Sequence, residues 1–166
     1  LAFAVLSGSQ GRAPDFSDPS GVIDLAGIWL FQAGDNPAFS RVTLDDSGWE
    51  QRQLPADATR LGMRWHGHGW YRLHFTAVPA AVGYDLVLSV GPVREVAEVY
   101  VNGALVAQRG TFGSRPRGDV SAVPLTGFVP GGVVQPGDNI IAVRVYDPTW
   151  SGGIPAGALA IGTPSV

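Results

Sequence analysis

Apolar and polar positions alternate in short runs along most of this chain of 166 residues, and no stretch of ten or more carries the 3.6-residue period of an amphipathic helix. The clearest run starts at Tyr71. Tyr71, Leu73 and Phe75 share one face while Arg72, His74 and Thr76 share the other, which predicts a half-buried strand. Upstream, the apolar residues from Ile23 to Phe31 predict a first strand, ended by the turn residues Gly34-Asp35-Asn36-Pro37. A turn carrying Trp49 follows at Asp45-Asp46-Ser47-Gly48, and Leu54-Pro55 closes a short extended piece. Downstream, Leu86, Leu88 and Val90 alternate after the Val82-Gly83 turn.

Asn102-Gly103, flanked by strand formers from Val99 to Ala107, predicts a hairpin with a type I′ turn, both central residues at positive φ. Residues 110–118, with Arg115 and Arg117, read as a long exposed loop; 123–129 return as a strand closed by Pro130-Gly131-Gly132. Pro136-Gly137-Asp138-Asn139 reads as a turn before the β-rich run Ile140–Tyr146, a second loop spans 147–153, and Ala158–Ile161 supplies a last strand. Seven to nine strands between turn signals predict an all-β protein, an antiparallel β-sandwich or jelly roll.

Composition sharpens this picture by exclusion. The length suits one domain, with residues 1–21 expected as a leader or disordered tail and 22–166 as the folded unit. Leu1-Ala2-Phe3-Ala4-Val5-Leu6 reads either as the end of a secretory apolar segment or as an ordinary tail; the first reading implies an extracytoplasmic, periplasmic or secreted location. All eleven basic residues are arginine, and against fourteen acids they leave a net charge of −3, which gives no electrostatic basis for binding nucleic acid. There is no cysteine, so disulfides and thiol chemistry are excluded. No apolar run of about 18 residues occurs, so no membrane-spanning helix is expected.

Catalytic chemistry finds little to work with. Glycoside hydrolysis needs two carboxylates across a scissile bond; Glu50, Glu95 and Glu98 are the only glutamates, and Glu95 and Glu98 fall on or beside a strand with a solvated face. The aspartates sit mainly in turns. No nucleophile elbow and no phosphate-binding glycine loop is present. His66 and His68 share one face of a strand, but zinc needs a third and usually a fourth ligand, and His74 is too far along to join them. No metal site and no enzyme activity are therefore expected of these residues. No cofactor is expected either, and no ligand set for a structural calcium can be read from the sequence.

Recognition chemistry remains. A sugar presents hydroxyls at its rim and an apolar C–H face, so its site combines aromatic rings with a few hydrogen-bonding groups. Trp65, His66, His68, Arg72, Asp147 and Trp150 have suitable side chains, several of them in predicted loops, and form the candidate carbohydrate site. A competing reading buries Trp70 and Trp150 as loop anchors and leaves the histidines solvated. Trp49 is expected to be a core plug.

In order, Gly27-Ile28-Trp29-Leu30-Phe31, Asp46-Ser47-Gly48-Trp49, Gly69-Trp70-Tyr71-Arg72, Ala97-Glu98-Val99-Tyr100-Val101-Asn102-Gly103, Gly137-Asp138-Asn139-Ile140 and Trp150-Ser151-Gly152-Gly153-Ile154 resemble the N-terminal sugar-binding domain of the family-2 glycoside hydrolases. That group includes the β-galactosidases and β-glucuronidases. The resemblance implies a galactose-binding-like jelly roll without catalytic residues, the glutamates of those enzymes lying in a separate barrel domain. It implies loops at the edge of a sugar pocket before Trp70 and around Trp150, although the chain departs from the enzymes at Pro155-Ala156-Gly157. Similar domains also occur at the extracytoplasmic end of bacterial membrane sensors. Three roles follow as expectations: a non-catalytic carbohydrate-binding module serving as the sensor or targeting domain of a larger exported or membrane-anchored protein; a structural or protein-interaction jelly roll; and the accessory domain of a truncated hydrolase. The partners implied are a carbohydrate ligand and further domains of the same polypeptide.

Overall fold

The structure, a computed structural model, describes residues 14–18, 21–56, 65–93, 96–118, 122–148, 153–154 and 157–164. Two sheets pack face to face. The larger contains β4 (Glu50–Leu54), β3 (Gly27–Ala33), β5 (Gly67–Ala77), β10 (Gly137–Asp147), β7 (Val96–Val101) and β8 (Ala104–Arg109) in that spatial order. The smaller contains β2 (Val22–Asp24), β11 (Leu159–Gly162), β6 (Leu86–Val90) and β9 (Thr126–Val129). Neighbours within this order are antiparallel throughout. β1 (Asp15–Phe16) pairs parallel with the end of β5, at Thr76 and Ala77. Two short 3₁₀ turns, Pro37–Ser40 and Pro79–Ala81, are the only helical pieces among the described residues.

The period of two in β5 explains why the sheets adhere. Tyr71, Leu73 and Phe75 are buried between them with Trp29, Phe31, Leu86, Leu88, Val143 and Ile161. Each such side chain withdrawn from water contributes roughly 1.5–3 kcal/mol. The opposite face of β5 is not the solvated surface that alternation predicts. Trp70 and Arg72 are buried there, because the turn at Pro37–Ser40 and the segment after it fold back over the sheet and pack Phe39 and Trp49 against Trp70, Ile140 and Ala142. Trp49, expected as a core plug, instead packs half-buried in this outer cluster, because the segment that carries it lies over the sheet and not between the two sheets.

Several boundaries differ from the sequence expectation, each for a local reason. The predicted first strand is two strands in different sheets. Leu25 still donates its N–H to Leu159 of the smaller sheet, and Gly27, at φ +145°, starts the larger sheet two residues later. The predicted leader ends earlier than residue 21, since Phe16 is wholly buried and its β1 backbone bonds to β5; residues 1–13 lie outside the described ones. Of the turn predicted at Pro136–Asn139, only Pro136 stays outside the sheet: Gly137 begins β10, and Asn139 is fully buried in it. The predicted loop at 110–118 is closed on itself by two backbone hydrogen bonds between Thr111 and Arg117.

The Asn102-Gly103 hairpin stands as predicted, with φ of 49° and 84°. Asn102 does more than turn the chain. Its amide donates to the Val133 carbonyl and to Asn139 Oδ1, and its Oδ1 accepts from Ile140 N–H, at 2.7–2.9 Å.

Candidate functional site

The ends of β3 and β10 and the starts of β5 and β7 meet at one edge of the larger sheet, the register placing Ala33 opposite Gly69, and Tyr146 opposite both His68 and Val96. The outer face of this edge carries His68, Trp70, Arg144 and Tyr146, with Asp35 reaching in from the turn after β3 and Phe112 from the loop after β8. The alternation of each strand sets this face, so Tyr71, Val143 and Val145 point the other way, into the core.

Arg144 holds the group together. Its Nε and Nη2 donate to the two oxygens of Asp35 at 2.9 and 2.6 Å, and its Nη1 donates to Glu98 Oε2 at 3.0 Å. Tyr100 also donates to Glu98 Oε2, at 2.7 Å, while its ring stacks on Trp70 with centroids 5.7 Å apart. Trp70 Nε1 points at Asp35 Oδ1 at 3.4 Å, and the Phe112 ring covers the Arg144 guanidinium at 3.9 Å. A planar fork bound on both sides by carboxylates is a rigid arrangement. Partial burial alone would raise the pKa of Asp35, but the hydrogen bonds and charge of Arg144, helped by His68 and Trp70, hold its carboxyl below the ordinary range. Burial pushes the Tyr100 phenol up, and the Glu98 carboxylate adds to it.

The sequence-predicted residues are distributed over two faces of the sheet. His68 stands on the outer face: its ring is 4.8 Å from Tyr146 and 5.9 Å from Phe112, and its Nε2 is 3.9 Å from Asp35 Oδ2. Trp65 packs inward, edge-on to Phe31 at 5.3 Å, with its Nε1 donating to the His68 carbonyl at 3.0 Å. That contact requires Gly69, because a Cβ there would stand 2.6 Å from Trp65 and 2.8 Å from Phe31. His66 is exposed between them. Asp147 lies opposite Gly67 in register, but its side chain is 2% exposed, on the core side near Tyr71. Trp150 lies outside the described residues.

Arg72 does not join the group. It is wholly buried, its Nε donating to Asp46 Oδ2 at 2.6 Å and its Nη1 to the carbonyls of Phe39 and Arg41. It pins the overlying segment to the sheet, and His74 bridges the same Asp46 to Asp138. Asp35, Glu98, Tyr100, Phe112, Arg144 and Tyr146 are not among the candidate site residues that the sequence offers. The pairs Glu98/Tyr100 and Arg144/Tyr146 were detectable as i, i+2 polar positions of predicted strands, whereas their meeting with Asp35, 109 residues from Arg144, required the sheet order. Glu98 therefore faces partners rather than open water.

Among the described residues, no group of three or more His, Asp or Glu side chains is placed to hold a metal ion. Glu50 is bonded to Arg52, Glu98 to Arg144 and Tyr100, and Glu95 lies outside the described residues. A shallow groove of about 410 Å³ lies on the outer surface of the smaller sheet, lined by Val22, Val87, Ser89, Ala160 and Pro164. It is on the opposite side of the sandwich from the aromatic and charged group.

The fold defines the class, an antiparallel β-sandwich of the kind carried by glycosyl hydrolases of family 2. No family model matches the chain. It is 32% identical over 131 residues to a "Putative beta-glucuronidase" of Formosa agariphila, a match covering 70% of this chain and 12% of the relative. Among solved structures, a family-2 glycosyl hydrolase of Bacteroides cellulosilyticus matches with a TM-score of 0.65 and 25% identity, over 85% of this chain and 20% of that one. A β-glucuronidase of Bacteroides uniformis matches with a TM-score of 0.66 and 20% identity, over 85% of this chain and 17% of that one. The chain corresponds to the N-terminal sandwich domain of such proteins. It spans less than a quarter of their length.

Proposed function

We propose that this chain is a non-catalytic carbohydrate-recognition domain within a larger polypeptide of the family-2 glycoside hydrolase type. The carrying observation is that similarity extends over most of this chain but over only 12–20% of its relatives, as expected for an accessory module that serves a separate catalytic or signalling part. The outer face at this edge, with His68, Tyr146 and Phe112 beside Asp35, supplies ring surfaces and hydrogen-bonding groups close together, the combination that suits a sugar. Titration of the purified domain with mono- and oligosaccharides, followed by tryptophan fluorescence, should give saturable changes at millimolar concentrations. A flat response to every sugar would end the carbohydrate reading. The gene beyond Val166 tests the larger polypeptide: a barrel with two glutamates supports an enzyme's accessory domain, and membrane helices support a sensor.

A further inference from the structure

We propose that Asp35 and His68 form a notch for one sugar hydroxyl, walled by the rings of Tyr146 and Phe112. This rests on the carbohydrate-recognition reading and assigns that recognition to the outer face of the larger sheet, rather than to Trp65 or Asp147. Those two are already committed. Trp65 is packed against Phe31 with its indole N–H given to a backbone carbonyl, and Asp147 is buried on the core side.

The His68 Nε2 to Asp35 Oδ2 separation of 3.9 Å is too long for a hydrogen bond, so neither group satisfies the other. Both side chains are nearly one-third exposed. A hydroxyl oxygen at about 2.8 Å from each fits this span. It accepts the His68 Nε2–H and donates its own hydrogen to Asp35, which uses both capacities of an alcohol. A carbonyl cannot do this, since it has no hydrogen to give. A cation cannot accept from His68.

Asp35 is suited to the task because Arg144 and Trp70 fix the plane of its carboxylate, and Arg144 is itself fixed by Glu98. Oδ1 already accepts from both Arg144 and Trp70, whereas Oδ2, the oxygen that faces His68, accepts only from Arg144 Nη2 and keeps a lone pair for a ligand. The flanking Tyr146 and Phe112 rings, 4.8 and 5.9 Å from the His68 ring, supply apolar walls for the C–H groups beside the bound hydroxyl. Held so rigidly, the notch loses little ordering entropy on binding.

The test uses the 166-residue chain, calorimetry, and a panel of methyl glycosides with their monodeoxy analogues. Wild type should discriminate against one particular monodeoxy analogue by about tenfold, the scale of one hydrogen bond in a site built for it. His68→Leu should bind the parent sugar about tenfold more weakly and lose that discrimination, whereas His68→Gln, which keeps an N–H near the Nε2 position, should restore most of both. Phe112→Ala should weaken the parent and the analogue alike. If wild type binds a sugar and His68→Leu binds it equally well with the same discrimination, the notch is refuted while the carbohydrate reading stands. If wild type binds no sugar saturably, both fall.

Discussion

At the scale of single residues, the structure separates positions whose sequence signals look alike. Gly48 and Gly69 both stand beside a tryptophan in a turn-like context, yet a Cβ at Gly48 meets nothing within 4 Å while one at Gly69 collides with Trp65 and Phe31. Gly69→Ala should therefore cost about 1–3 kcal/mol and Gly48→Ala within about 0.5, read as midpoints of urea unfolding at constant slope. Arg72 read as a sugar contact by its residue type; its burial makes it the tie between strand and covering segment. Removing it leaves the buried Asp46 with His74 alone and strips the Phe39 and Arg41 carbonyls of their donor, so Arg72→Ala should destabilise by about 3–5 kcal/mol. Arg72→Lys should recover little, because one ammonium cannot reach Asp46 and the Phe39 and Arg41 carbonyls with the geometry of the planar fork.

At the scale of elements, hairpin chemistry was the most legible feature and sheet switching the least. The Asn-Gly turn is a local property, since positive φ at two successive residues is acceptable to few others. Its second duty is not local. Asn102 joins its turn to Val133 and to the buried Asn139 at the start of β10, where Asn139 in turn accepts from Gln135 N–H and donates to the Gln135 and Gly137 carbonyls. Asn102→Gly should keep the turn and lose only the side-chain bonds, whereas Asn102→Ala should lose both. The expected order of thermal midpoints is wild type, then Gly, then Ala, with the alanine variant down by roughly 2–3 kcal/mol. Equal midpoints for the two variants would show that the turn preference is immaterial here.

At the scale of the whole molecule, pH should act through a few packed groups. The Asp35 pKa is lowered in the folded state, so its contribution to stability is present above the ordinary carboxylate value near 4 and is lost as pH falls through the folded value. Asp35→Asn should flatten the acid limb of a stability-against-pH curve. The phenols of Tyr71 and Tyr100 are shifted the other way, upward: burial leads in both, reinforced by Asp147 and Glu50 at Tyr71, where Arg52 opposes it, and by Glu98 at Tyr100. Their contribution is complete below the ordinary tyrosine value near 10 and declines as pH rises beyond it. Ultraviolet titration of the native protein should show ionisation above pH 10 that moves down on unfolding, with Tyr100→Phe removing part of it.

The sequence by itself determined the all-β class, the Asn102-Gly103 hairpin and the core face Tyr71, Leu73 and Phe75, because alternation and turn residues act over a few neighbouring positions. It also determined which residue types were available for recognition. Only the tertiary structure decided their placement. Whether the second face of β5 met water depended on a covering segment more than twenty residues away in sequence, and whether Asp35 met His68 or Arg144 depended on strand order. Alternation specifies that two faces exist, whereas long-range pairing decides what covers each. That is why His68 remains in the candidate site, Arg72 moves into the scaffold, and Asp35 and Phe112 become visible beside His68 only in the folded chain.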